Sequence, residues 1–208
     1  SAQGELVQEN KPTLNNEGAL AALNFWSTLL KDGSAINSLP ERGYEQDAFI
    51  SGKVAMQLTG PWTLSFLDST DVDYDVMPIP VDKKPATALG GSNLFVMKTN
   101  PKREQAALKF LEYVLSEEFQ TELAIATGGL PINVKSRESK TYQEYVAKQP
   151  ALKVFLQQMA VSRSRPIVPQ YYRLSQSIGE AIEATLLGKS PEKSLQTAQQ
   201  RAELAWNL

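Results

Sequence analysis

The stretch Phe49–Trp62, FISGKVAMQLTGPW, joins a predicted helix end, an apolar strand and an aromatic ring. Gly52 is typical of the left-handed turn that ends a helix, and the apolar residues of 54–58 predict a short strand. A glycine–proline pair then ends this strand. Trp62 therefore follows a strand end, where the binding residues of layered α/β folds tend to collect. A tryptophan at this place is also compatible with a core position.

The composition is that of a globular chain that holds one large domain or parts of two. It has 208 residues, of which 42% are hydrophobic and 21% are charged. Because 21 basic residues face 23 acidic ones without a basic run, we expect no nucleic-acid partner. The chain has no Cys and no His, which excludes disulfides, zinc–cysteine sites and the commonest general base.

Helical periodicity dominates the rest of the chain. Asn15 or Asn16 is predicted to cap a helix whose apolar face includes Trp26 as a core residue. Further helices are predicted within 40–49, at 64–67, from Pro101, from Ser116 to Gly128, in two pieces between 141 and 160, from 174 to Gly188, and from Pro191.

A second apolar strand is predicted at Leu94–Met97, directly after Gly90–Asn93. Its continuous apolar character is typical of a strand buried on both faces. The glycine pair before it permits a hinge or the close approach of a ligand to the backbone.

The pattern Phe49-x-x-Gly52-x-x-Ala55-Met56-x-x-x-Gly60-x-Trp62 resembles the signature segment of the extracellular solute-binding proteins of ABC importers. This is the large family that includes the maltose-binding protein. Other segments resemble the family in the same order: the helix closing at Gly33, Tyr74-x-x-x-Pro78, Gly90–Asn93, Phe110-Leu111, Gly129-Leu130-Pro131, Pro169-x-Tyr171 and Ser190-Pro191-x-x-Ser194-Leu195. The resemblance covers nearly the whole chain.

The resemblance implies an α/β fold of the periplasmic-binding-protein-like type II, with three-layer α/β lobes. This chain would be the helix-rich C-terminal portion of a two-lobe protein. Residues 1–88 and 143–208 would belong to the second lobe and residues 89–142 to the first. Gly90–Asn93 would then lie where the chain crosses between lobes, since a glycine pair lets a chain bend about a hinge.

The implied function is the substrate-binding component of an ABC importer, which holds a carbohydrate or polyol between its lobes and delivers it to the membrane permease. No catalysis, cofactor or metal is implied. The family commonly stacks the corresponding tryptophan on a sugar ring, which makes Trp62 the first candidate. Further ligand-binding candidates are Gly91, Ser92, Asn93, Tyr171, Tyr172 and Arg173. The two tyrosines are equally compatible with packing at the start of a helix.

The implied location is periplasmic or extracellular, with a lipoprotein anchor upstream of the present start. The sequence begins Ser-Ala-Gln-Gly-Glu, without an initiator Met or a signal segment. We therefore expect a processed or engineered end. If an upstream part supplies strands to both lobes, Leu94–Met97 has no sheet to join in this chain, and we expect a non-native oligomer.

A different class of function would use clustered carboxylates, as a glycosidase-like or calcium-binding module does. Glu41, Glu45 and Asp47 lie close in sequence, and the acidic residues of 71–75 alternate along an extended stretch. Alternation of this kind is more typical of a solvated edge, and the EF-hand spacing is absent. A purely structural module would leave the Gly-Pro-Trp and Gly-Gly-Ser-Asn segments unexplained.

Overall fold

The computed structural model describes residues 4–37 and 46–206, and it is predominantly helical. The α-helices are α1 Glu17–Lys31, α2 Asp47–Ile50, α3 Leu64–Leu67, α4 Pro101–Val114, α5 Glu117–Thr127, α6 Val134–Glu138, α7 Lys140–Lys148, α8 Pro150–Gln158, α9 Tyr171–Leu186 and α10 Pro191–Trp206. The strands are β1 Val7–Gln8, β2 Lys11–Pro12, β3 Thr87–Ala88 and β4 Ser162–Arg163, with 3-10 turns at Pro61–Thr63 and Met159–Val161. In this described part, none of the helices is long and apolar enough to cross a membrane.

The described residues group into two compact units. Unit 1 takes the described parts of 1–54, 79–88 and 163–208, and unit 2 takes 55–78 and 89–162. The chain thus changes unit between residues 88 and 89, next to the predicted crossing at Gly90–Asn93. Residues 55–78 and 143–162 group with unit 2, unlike the predicted lobe boundaries, and the assignment of lobes stays a prediction.

Unit 1 is built around helices α1, α9 and α10. Asn16 caps α1 as predicted, because its Oδ1 accepts a hydrogen bond from the Ala19 amide at 2.9 Å. The α10 side chain of Gln199 joins the chain start to this unit, since its Oε1 accepts from the Leu14 amide and its Nε2 donates to the Pro12 carbonyl. The buried core is formed by Leu14, Leu23, Leu174, Ala181, Leu195, Ala198 and Ala202.

The prediction that Trp26 is a core residue of α1 is wrong. Its side chain is 41% exposed, whereas Leu23 and Ser27 are buried. Leucines at three- and four-residue spacing define a face only to within one position. The buried stripe therefore passes through Ser27, the next residue along, and Trp26 lies at its edge.

A β-hairpin that the sequence interpretation missed precedes α1. Strands β1 and β2 pair antiparallel with Val7 opposite Pro12, and the two residues between them, Glu9 and Asn10, both have positive φ. Positive φ at both positions is typical of a two-residue type I′ turn, for which asparagine is a favoured residue. The indole Nε1 of Trp206 donates to the Asn10 carbonyl at 2.7 Å and ties this turn to α10.

Unit 2 packs α3, α5, α7 and α8 together. Its buried core consists of Leu64, Ala124, Tyr142, Val146 and Leu152. The predicted helix starts at Pro101 and Ser116 are confirmed, and so is the predicted break at Pro150. Gly128 ends α5 in the left-handed conformation, with φ +69, as predicted.

Both predicted strands are absent. Residues 54–58 and 94–97 have no regular secondary structure, and Met56, Leu58, Phe95 and Met97 are all strongly exposed. A strand requires a neighbour for its backbone amide and carbonyl groups, and no described segment pairs with either stretch. Apolar character alone therefore did not produce a strand in this chain.

Tyr142 offers a test of the unit 2 core. Its ring is fully buried, and its hydroxyl has no hydrogen-bond partner among the described residues. We expect Tyr142→Phe to leave the free energy of unfolding unchanged or to raise it by up to about 1 kcal/mol, because no protein hydrogen bond is lost. Urea unfolding at pH 8 measures this effect. A loss of stability in the Phe variant would contradict the assignment.

The same hydroxyl predicts a pH dependence. Burial, followed by the charge of Tyr145, raises the pKa of Tyr142 from its ordinary value of 10.0 to about 12. The folded state therefore holds the Tyr142 proton more tightly than the unfolded state does. The contribution of this difference to the free energy of unfolding is fully present below pH 10 and is lost as the pH rises through 12. Only the wild type should lose this pH-dependent contribution, because the Tyr142→Phe and Tyr142→Ala variants lack the hydroxyl. Tyr142→Ala is the control for cavity formation, and its free energy of unfolding should be about 3–5 kcal/mol below that of the wild type already at pH 8.

Candidate functional site

Trp62 is presented to solvent by a short, well-anchored loop. It occupies the 3-10 turn Pro61–Thr63, directly after Gly60 and directly before α3, and its side chain is 68% exposed. The prediction that this ring is solvent-accessible is confirmed. Its role in binding a ligand is a prediction that we take up below.

The residues after Trp62 fix the loop to unit 2. Thr63 is buried, and its Oγ1 donates to the Gly60 carbonyl at 2.8 Å. Leu64 and Leu67 of α3 are also buried, with Leu64 in the unit 2 core. The exposed indole is thus attached to a backbone segment that buried neighbouring residues fix in place. This reduces the conformational entropy that the loop loses when a ligand contacts the ring.

Two glycines pack against this loop. A Cβ built on Gly60 would overlap the six-membered ring of Trp62 at Cζ3 and Cη2, so the indole lies directly over the Gly60 backbone. A Cβ built on Gly128 would lie 2.8 Å from the Pro61 carbonyl oxygen. The sequence predicted that Gly60 ends a strand and that Gly128 ends a helix, and it placed Gly60 in the segment that resembles the family. The spacing Gly60-x-Trp62 was the one signal of the ring contact.

The predicted candidates Gly91, Ser92 and Asn93 lie in an exposed segment of unit 2 without regular secondary structure. This segment begins directly after the chain enters unit 2 at residue 89. Its backbone and side chains are accessible, as contact with a ligand requires. Trp62 belongs to the same unit.

The predicted candidates Tyr171, Tyr172 and Arg173 form the first turn of α9 in unit 1. They face different surroundings. Tyr171 is half-buried and packs against the unit 1 core, whereas Tyr172 is 77% exposed. Arg173 is exposed, and its carbonyl accepts a hydrogen bond from Ser177 Oγ at 2.9 Å. Tyr171 therefore packs at the start of the helix, whereas the ring of Tyr172 is available for contact with a ligand.

The carboxylate clusters form no metal site in the described chain. Glu41 and Glu45 lie outside the described residues, and within 4–37 and 46–206 no group of three or more acidic side chains could hold a metal ion. The three aspartates of 71–75 are exposed and alternate with half-buried residues, as along a solvated edge. Nearby, Asp68 accepts a hydrogen bond from the Tyr74 hydroxyl, and desolvation, then this bond, raises the pKa of Tyr74.

Known proteins with similar sequences are solute-binding proteins. Residues 1–150 match the family model described as bacterial extracellular solute-binding protein. A binding protein of Brucella abortus (strain 2308) is 24% identical over 204 residues, which cover 95% of this chain and 49% of that protein. The maltooligosaccharide ABC transporter solute-binding lipoprotein of Streptococcus pneumoniae (strain ATCC BAA-255 / R6) is 26% identical over 133 residues, which cover 60% of this chain and 30% of that protein.

The fold has a matching solved relative. The maltose/maltodextrin-binding domain MalE from Bdellovibrio bacteriovorus bound to maltotriose superposes with a TM-score of 0.81 at 25% identity, covering 98% of this chain and 55% of that one. This chain spans about half the length of the Brucella protein and of the solved structure. The predicted fold class and the predicted resemblance are confirmed. Because the family model matches most of its length, the chain belongs to the bacterial extracellular solute-binding proteins.

Proposed function

We propose that this chain is part of the substrate-binding component of an ABC importer, which binds a carbohydrate or related polyol between two lobes and delivers it to the membrane permease. Such a protein binds its solute without chemical change and needs no cofactor. The observation that carries the proposal is the exposed Trp62 ring on a buried backbone anchor, in a member of a solute-binding family.

A carbohydrate suits the exposed candidate residues of each unit. Aromatic faces pack well against the apolar C–H faces of sugar rings, and Trp62 and Tyr172 both present such faces. Ser92, Asn93 and Arg173 are exposed polar side chains that can hydrogen-bond hydroxyl groups. Two relatives support this class, since the Streptococcus protein is a maltooligosaccharide solute-binding lipoprotein and the Bdellovibrio domain is bound to maltotriose.

The proposal includes the lobes and the location. Gly90–Asn93 would lie at a crossing between lobes, which the change of compact unit after residue 88 supports. The resemblance implies that residues 1–88 and 143–208 lie in the second lobe and 89–142 in the first, although residues 55–78 and 143–162 group with 89–142 in one compact unit. The protein would act outside the cytoplasmic membrane, and an upstream lipid anchor is supported by the Streptococcus relative, itself a lipoprotein.

Thermal unfolding of the full-length protein against a panel of solutes tests this proposal. The panel contains glucose, maltose, maltotriose, longer maltooligosaccharides, tagatose and Ca²⁺. A ligand that binds only the native state at about 100 times its Kd stabilises it by about 2.7 kcal/mol, which raises the Tm by several degrees. We expect one sugar class to raise the Tm and Ca²⁺ to leave it unchanged. A shift with Ca²⁺ alone would favour the carboxylate alternative.

A further inference from the structure

The indole of Trp62 rests on the Gly60 backbone in the space where any other residue would place its Cβ. A Cβ there would overlap ring atoms Cζ3 and Cη2 of Trp62. Gly60 itself has φ −118 and ψ 175, which every L-residue adopts without strain. The glycine is therefore required by the ring and not by the backbone conformation.

A second glycine meets the same loop from the end of α5. A Cβ on Gly128 would lie 2.8 Å from the Pro61 carbonyl oxygen, which is closer than carbon and oxygen atoms pack without displacement. Gly128 also has φ +69, so its position demands both a left-handed conformation and a close backbone approach. By contrast, Gly188 ends its helix with φ +88 and nothing within 4 Å of a Cβ.

We propose that Gly60 and Gly128 are positioning residues for the Trp62 indole and thereby set the affinity of the ligand site. Gly60 determines how the ring lies over the loop, and Gly128 determines how closely the loop approaches the end of α5. The proposal rests on the proposed stacking role of Trp62. It predicts that both glycines act on the ligand only through the position of the ring.

Gly60→Ala gives the cleanest test, because alanine fits the backbone and only the ring must move. We would label the full-length protein with 5-fluorotryptophan and identify the Trp62 resonance in the ¹⁹F NMR spectrum by its loss in Trp62→Phe. Gly60→Ala and Gly128→Ala should both shift this resonance. Each should weaken maltotriose binding about tenfold, measured by calorimetry, which corresponds to about 1.4 kcal/mol.

Two further variants separate ring position from backbone strain. Gly188→Ala imposes the same left-handed strain as Gly128→Ala at a site remote from the loop in sequence, and it should change neither the resonance nor the affinity. Gly128→Asn introduces a residue that tolerates the left-handed conformation but adds a Cβ facing Pro61. It should therefore shift the Trp62 resonance as Gly128→Ala does.

A double-mutant cycle decides whether the glycines act through the ring. In a Trp62→Ala background, Gly60→Ala should cause no further loss of maltotriose affinity. An unshifted Trp62 resonance in Gly60→Ala, or an equal loss of affinity with and without the indole, would overturn the proposal. If Trp62→Ala alone retained full affinity, the stacking role would fail, while the resonance would still decide whether the glycines position the ring.

Discussion

Replacing Trp62 with alanine is expected to weaken sugar binding by the full-length protein by about 1–3 kcal/mol, which is roughly 5- to 150-fold in Kd. The indole offers a large apolar face at an accessible position, and its loop is fixed by the buried residues Thr63 and Leu64. Contact with a sugar would therefore bury ring area that now faces water. Isothermal calorimetry with the sugar that raises the Tm most measures the effect.

Trp26 provides the matched control for this measurement. It is also a partly exposed tryptophan, but it lies on α1 in unit 1 and is no candidate for ligand contact. Trp26→Ala should leave the affinity unchanged, and Trp62→Phe should retain part of it because a smaller aromatic face remains. Equal affinity of the wild type and Trp62→Ala would contradict the stacking role.

Most of the helices, although not α6, could be predicted from the sequence because their determinants are local. The backbone amide three residues ahead donates a hydrogen bond to the side chain of each of four capping residues, Asn16, Asn100, Ser116 and Ser139. Apolar spacing gave the helical segments, although at α1 it misplaced the buried stripe by one residue. Capping residues and apolar spacing both lie within a few helical turns of the helix that they specify.

The strands could not be predicted in the same way because pairing is not local. Residues 54–58 and 94–97 have the apolar character of buried strands, but strand formation depends on a neighbour that the local sequence does not specify. Conversely, the hairpin at the chain start has only two residues in each strand, which is too short to give a periodic apolar signal. Its asparagine at position 10 was the only local indication.

The candidate site was partly predictable for the same reason. The exposure of Trp62 was predicted from its place after a glycine–proline pair, and it is observed although the strand that this pair was expected to end is absent. The approach of Gly128 to the Pro61 carbonyl joins residues far apart in the chain, and a glycine after a helix is already explained by the helix end. The different roles of Tyr171 and Tyr172 depend on which side of α9 faces the core, and the residue types alone left this open.

The 208-residue chain on its own is expected to self-associate through the segment Leu94–Met97. Phe95 is 82% exposed, and Met97 two residues further on is also exposed, as are Met56 and Leu58 in the same unit. An exposed apolar segment that is paired with no described strand is a template for pairing with another chain. Apolar surface of this extent is uncommon on monomers, so we expect a strand-paired dimer or larger species.

Sedimentation velocity on this chain measures the association directly. Phe95→Lys combined with Met97→Lys should return it to a monomer, because lysines on an edge oppose pairing. Ile167→Lys changes a still more exposed apolar side chain in unit 1 and should leave the association unchanged. A full-length chain, with roughly the length of its relatives, should be monomeric if the additional residues cover Leu94–Met97. A monomeric 208-residue chain at tens of micromolar would show that its exposed segment does not pair.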